Sequence, residues 1–96
     1  MPYIEVERKE VISFAVSELS SYIGSKGDLN FVICELVGQL ISHKGVNYQN
    51  ISEIIDAVHD AETELRRRLL VPYEDIKLEE NGDVPSFKTV LKIMGN

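Results

Sequence analysis

Three consecutive arginines, Arg66-Arg67-Arg68, followed by Tyr73 and Lys77, form the basic cluster of this 96-residue chain. A guanidinium fork suits phosphate, because its planar donors meet two oxygens at once. Three successive residues spread over about 200° of a helix, so the three arginines cannot all face one ligand. Arg66 has Glu62 four residues back, and Arg68 has Glu64. Arg67 has Thr63 at that spacing, which makes it the arginine most open to a ligand. Tyr73 can stack on a base or a guanidinium, and Lys77 lies one turn further. The cluster is equally readable as helix-end charge paired with Asp60, Glu62 and Glu64.

Acidic residues offer a second chemistry. Glu53, Asp56, His59, Asp60 and Glu64 recur along one stretch. Asp56-x-x-His59 can put two metal ligands on one side of a helix, but helical di-metal proteins use that pattern twice and here it occurs once. Glu53-x-x-Asp56 matches half of the paired carboxylate motif of all-helical nucleotide pyrophosphatases. The other half is missing, since Glu18 and Glu35 are followed three residues later by Ser21 and Gly38. A solvated acidic face is the simpler reading, and neither a metal nor a cofactor is expected. Cys34 sits in an apolar stretch and reads as a buried structural thiol. With no G-x-S-x-G, no phosphate loop and no nearby Cys–His pair, nucleophilic catalysis has no support, and the chain is not expected to be an enzyme. His43 reads as a helix-end cation.

These side chains need helices to hold them. In the first, over about residues 5–23, Ile12, Ala15, Val16, Leu19, Tyr22 and Ile23 make one apolar face. The second begins near Asp28 as N-cap and ends with His43, Lys44 and Gly45. Its stripe is wider (Leu29, Val32, Ile33, Leu36, Val37, Leu40, Ile41), and Gly38 within it leaves room for another helix to approach. The third starts at Asn50 in a capping-box-like Asn50-Ile51-Ser52-Glu53 and turns Ile51, Ile54, Ile55, Val58, Ala61, Leu65 and Leu69 to the core. Pro72 either kinks this helix or opens a short fourth one through Glu80. After a turn at Asn81-Gly82-Asp83, Phe87, Val90, Leu91 and Ile93 fit a short helix better than a strand.

The expected fold is therefore all-α: a small helical bundle of three main helices with a Pro-bent third helix and a short C-terminal element. It forms a single domain over residues 1–96, with 85–96 as a C-terminal extension. Hydrophobic residues make up 44% and charged residues 27%, ordinary for a globular chain and far from a disordered or collagenous one. The apolar runs are too short for a membrane span, and Met1-Pro2-Tyr3-Ile4-Glu5 lacks the basic and apolar regions of a signal peptide. One cysteine cannot close an internal disulfide, in keeping with a reducing cytoplasm. A net charge of −6 argues against a nucleic-acid partner.

Several tracts resemble one family. Met1-Pro2-Tyr3-Ile4, Gly27-Asp28-Leu29-Asn30-Phe31, Arg67-Arg68, and Pro72-Tyr73-Glu74-Asp75 with Lys77 and Glu80-Asn81-Gly82-Asp83-Val84 are similar to a domain of unknown function. That family consists of short proteins from phages, prophages and prokaryotic genomes, and its pattern reads M-P-Y-I, G-E-L-N-Y, Y-R-R and A-P-Y-E-D-x-K-x-x-E-N-G-D-V-Y. This chain departs from the pattern at Asp28, Phe31, Arg66, Val71 and Pro85. The resemblance brings no enzymatic role. It implies accessory work in phage infection, inside the host cytoplasm, where small helical oligomers act as sponges for cyclic nucleotide signals and small acidic proteins block host nucleases. The leading expectation is a non-enzymatic homo-oligomeric binder of a cyclic nucleotide-type immune signal, with Arg67, Arg68, Tyr73, Lys77 and Tyr3 as ligand residues. The alternatives are an acidic protein-binding inhibitor of a host defence factor, and a metal-dependent nucleotide hydrolase using Glu53, Asp56 and Asp60.

Overall fold

A computed structural model describes residues 4–95. Among these the chain is all-α, with no strand. The helices are α1 (Val6–Ser20), α2 (Lys26–Lys44), α3 (Tyr48–Leu65), α4 (Val71–Asn81) and α5 (Pro85–Gly95), with a π turn at Arg66–Leu70 between α3 and α4. The chain divides into two compact units, Met1–Asp60 and Ala61–Asn96, and the boundary falls inside α3. No helix of the described residues is long and apolar enough to cross a membrane.

In the first unit, α1 stops three residues short of the expected Ile23. The N–H groups of Ser21, Tyr22 and Ile23 bond the carbonyls three residues back, tightening the exit. The Ser20 and Ser21 hydroxyls donate to the carbonyls of Ser17 and Glu18 and satisfy the freed acceptors. The N-cap of α2 is Ser25, not Asp28: its hydroxyl accepts the Asp28 N–H at 3.1 Å. Asp28 instead reaches back, its carboxylate accepting the Gly24 N–H at 2.9 Å. The pair forms a reciprocal box in which each side chain satisfies a backbone donor of the helix entry.

The expected start of α3 at Asn50 is also corrected. The helix begins at Tyr48, and the Asn47 side-chain oxygen accepts the Asn50 N–H at 2.8 Å. The Asn50 side chain turns away from its own helix and donates to the carbonyls of Lys44 and Gly45, at 3.3 and 3.0 Å. It thereby brackets the end of α2 to the start of α3. Gly45 makes this corner possible with φ +122°, a conformation that L side chains rarely adopt, and its N–H caps the Ile41 carbonyl at 2.9 Å. Ile23, Val32, Val37, Ile41, Ile51 and Ile54 are half-buried in this unit.

No described residue is fully buried. The apolar stripes assigned to a core therefore stay largely in solvent within one chain. Cys34, expected as a buried thiol, is exposed, with its Sγ 3.8 Å from the Asn30 side-chain oxygen. Among the described residues, a Cβ on Gly38, one turn later, would meet nothing within 4 Å beyond its own helix backbone. The close helix approach expected at Gly38 is not made among the described residues of its unit.

In the second unit, Pro72 is the second residue of α4. A proline inside a helix removes one amide donor and crowds the carbonyl four residues back, here that of Arg68. The π turn answers this by widening the ladder just before the ring. The Val71 N–H bonds the Arg66 carbonyl, five residues back. Leu65, Leu70 and Val71 all keep right-handed helical dihedrals, so the backbone remains helical into α4. Gly82, at φ +86°, ends α4 and caps the Leu78 carbonyl at 2.8 Å. Val84 then accepts the N–H groups of Phe87 and Lys88 and starts α5. The helix expected around Phe87, Val90, Leu91 and Ile93 is present.

Candidate functional site

The helical spacing of the second unit decides what each basic group meets. Arg66 Nε donates to Glu62 Oε1 at 3.1 Å, the expected i,i+4 pair. Arg67, read from the sequence as the arginine most open to a ligand, is instead the most firmly held. Its Nη2 donates to both oxygens of Glu64, at 2.9 and 3.1 Å. Residues three apart are also neighbours on a helix, so Glu64 reaches Arg67 as well as Arg68. Arg68 Nη1 shares the same carboxylate at 4.0 Å, so the expected Glu64 and Arg68 pair is the looser of the two. Lys77 Nζ donates to Glu80 Oε2 at 3.0 Å and lies 5.6 Å from the centre of the Tyr73 ring, a cation–π contact.

Of the proposed ligand residues, the structure joins Tyr73 to Lys77, and Arg67 to Arg68 through Glu64. It does not gather the four around one point. Tyr73 lines a shallow open groove with Glu62, Leu65, Arg66, Leu69 and Leu70. Arg66, which sequence reasoning left out of the ligand set, is therefore the arginine that shares a surface with the tyrosine. Tyr3 lies outside the described residues.

Electrostatics follow the pairs. Glu64 is half-buried, and the hydrogen bond from Arg67 holds its carboxyl below the ordinary glutamate range. Glu53 is lowered as well, first by the Gln49 amide at 3.0 Å and then by Lys44 at 3.1 Å. Both Glu53 oxygens are thus occupied at the α2–α3 corner. Among the described residues, no group of three or more His, Cys, Asp or Glu side chains is placed to hold a metal ion. Glu53, Asp56 and Asp60 are thus not grouped as ligands of one metal ion among the described residues. His43 and Lys44 stand in the last turn of α2, where positive charge suits the helix end.

What this arrangement offers chemically is an apolar groove edged by the Glu62–Arg66 ion pair, whose lining tyrosine, Tyr73, carries the Lys77 ammonium over its ring. No curated protein and no solved structure matches the chain. A family defined on sequence alone does match, over residues 1–84, ending one residue before α5 begins. That span takes in both the α2–α3 corner and the arginine–tyrosine surface, and by it the chain belongs to the family described as a domain of unknown function, DUF6899.

Proposed function

We propose that this chain is a non-enzymatic binding protein that works as a homo-oligomer, its helices completing a bundle only on assembly. The observation that carries the reading is the absence of any fully buried described residue in a chain that is 44% hydrophobic. A chain of this size ordinarily buries well over half of its unfolded surface, so its apolar faces need a partner.

The ligand of the assembly is an anionic, nucleotide-type signal held by Arg67, Arg68, Tyr73 and Lys77. Tyr3 is assigned to the same site from the sequence pattern. Each cation is paired within its own helix, but exposed pairs of this kind contribute at most about 1 kcal/mol and exchange readily for phosphate oxygens. The phage setting implied by the family resemblance makes a cytoplasmic anti-defence sponge the natural form of such a binder. Light scattering and calorimetric titration test the reading together. Light scattering should give a mass that is a multiple of 10.9 kDa. Titration with cyclic di- and trinucleotides and cyclic ADP-ribose isomers should give a dissociation constant below about 10 μM, roughly −7 kcal/mol. A strictly monomeric mass overturns the assembly, and no binding at that level overturns the ligand.

A second reading has its own support. Between Ile51 and Asp83 ten carboxylates stand against four Lys and Arg, and all four of those cations already hold a carboxylate of the same segment. The remaining acidic surface suits a basic cleft, as expected of an inhibitor of a nucleic-acid-handling defence factor. Salt-dependent capture of one host protein, with no nucleotide bound, selects this reading over the first.

A further inference from the structure

The apolar positions of the second unit do not follow a plain helical repeat. Ala61, Leu65, Leu69, Tyr73 and Ile76 are separated by four, four, four and three residues. On an ideal α-helix these five spread over roughly 120°, too wide for a single seam. The π turn lies inside that interval, at Arg66–Leu70. Bonding five residues back turns the chain through fewer degrees per residue, and the five positions close up to roughly 70°. Side chains on this line are more than half exposed: Leu65 58%, Leu69 65%, Tyr73 57% and Ile76 56%. The π turn and Pro72 thus keep one narrow apolar line in phase where an uninterrupted α-helix would rotate it away.

We infer that this line is the seam along which a second copy of the chain docks, antiparallel, with the two-fold axis near Leu70 and Val71. The inference rests on the homo-oligomer reading and adds which surface pairs and in which direction. Charge sets the direction. Residues 61–70 carry three arginines against two glutamates, and residues 71–81 carry four carboxylates against one lysine. Antiparallel pairing lays the arginine end of each copy beside the acidic end of the other, whereas parallel pairing stacks like on like. Leu69 then opposes Tyr73 of the second copy, and Leu65 opposes Ile76.

The line offers a continuous apolar surface: Leu65, Leu69, Leu70, Tyr73 and Ile76 are each between 43% and 65% exposed. The aliphatic stems of Arg66 and Lys77, themselves exposed, widen it on either side, toward the roughly 800 Å² per partner of a standard interface.

Cysteine pairing tests direction and seam at once, in full-length chains carrying Cys34→Ser. Mixing Leu65→Cys with Ile76→Cys should give a mixed disulfide dimer under mild oxidation, with little self-pairing of either variant alone. Self-pairing of each without the mixed product overturns the antiparallel arrangement. Leu69→Glu, followed by light scattering, should reduce the oligomeric mass, with circular dichroism confirming that the helices remain. An unchanged mass for that variant, beside an oligomeric wild type, overturns the seam while leaving the homo-oligomer intact. A monomeric wild type overturns both.

Discussion

The α2–α3 corner and the segment from Arg66 to Glu80 use similar ingredients to different ends. Both are rich in isoleucine, leucine and valine, and both are laced with polar contacts. At the corner the polar contacts cross between elements. Asn50 binds the last carbonyls of α2, Lys44 reaches Glu53, and Asn47 caps the next helix. Around them Val37, Ile41, Ile51 and Ile54 become half-buried. In the later segment the pairs Glu62–Arg66, Glu64–Arg67, Glu64–Arg68 and Lys77–Glu80 are three or four residues long, within one helical run. Such pairs decorate a helix without drawing another segment to it, and the neighbouring leucines stay exposed. Hydrogen bonds from side chains to the backbone of a preceding element gather structure; local charge pairs only straighten what is already helical.

Substitutions at the corner should have the largest effects. Gly45→Ala puts a Cβ at φ +122° and 3.4 Å from the Asn50 amide nitrogen. It should cost about 1–3 kcal/mol, read by denaturant melts, with loss of amide protection confined to residues 26–60. Equal loss across residues 61–95 would show that the two regions are not separate. Asn50→Ala strips two carbonyls of their donor and should cost about 1–2 kcal/mol in the same assay. Ser25→Ala removes the cap of α2 and should cost about 1 kcal/mol. By contrast, Arg66→Ala should change stability by only about 0.2–0.5 kcal/mol. A loss as large as that of Asn50→Ala would break the distinction between gathering and decorating contacts.

The smallest expected signal is the titration of Glu64. Its carboxyl sits below the ordinary glutamate value of 4.5, chiefly through Arg67. A carboxylate lowered on folding contributes stability that is fully present above the unfolded value and is lost as pH falls through the folded one. Carbon-detected NMR should place its midpoint below that ordinary glutamate value, and Arg67→Ala should move it back up. A Glu64 midpoint unaffected by Arg67→Ala would show that the pair is not populated in solution.

Helix content was legible from the chain because period and breakers agree: apolar residues recur every three to four positions, and Gly45 and Gly82 stand where helices end. Caps were legible only to within a turn. Asp28 and Asn50 are cap-type residues, but each serves the backbone of a neighbour while Ser25 and Asn47 hold the N-cap position. Propensity names the residue types at a helix entry and not which of two adjacent candidates takes the donor. The arginine cluster was visible as composition, but its pairing depends on three-residue spacing and on the turn that follows. A π turn has no composition of its own; Pro72 marked the place but not the form. Burial could not be read at all, because a stripe of leucines looks the same whether its partner lies in the same chain or another.

The wide turn at Arg66–Leu70 also says something about chain length. It absorbs one residue more than a regular helix needs between Leu65 and Val71. Removing a single residue there should let the helix relax to ordinary winding with Leu65 and Tyr73 still aligned, whereas removing two should not. A one-residue deletion there that spares Arg67, Arg68 and Leu69 is therefore expected to keep the apolar line in register, read as unchanged helix content by circular dichroism.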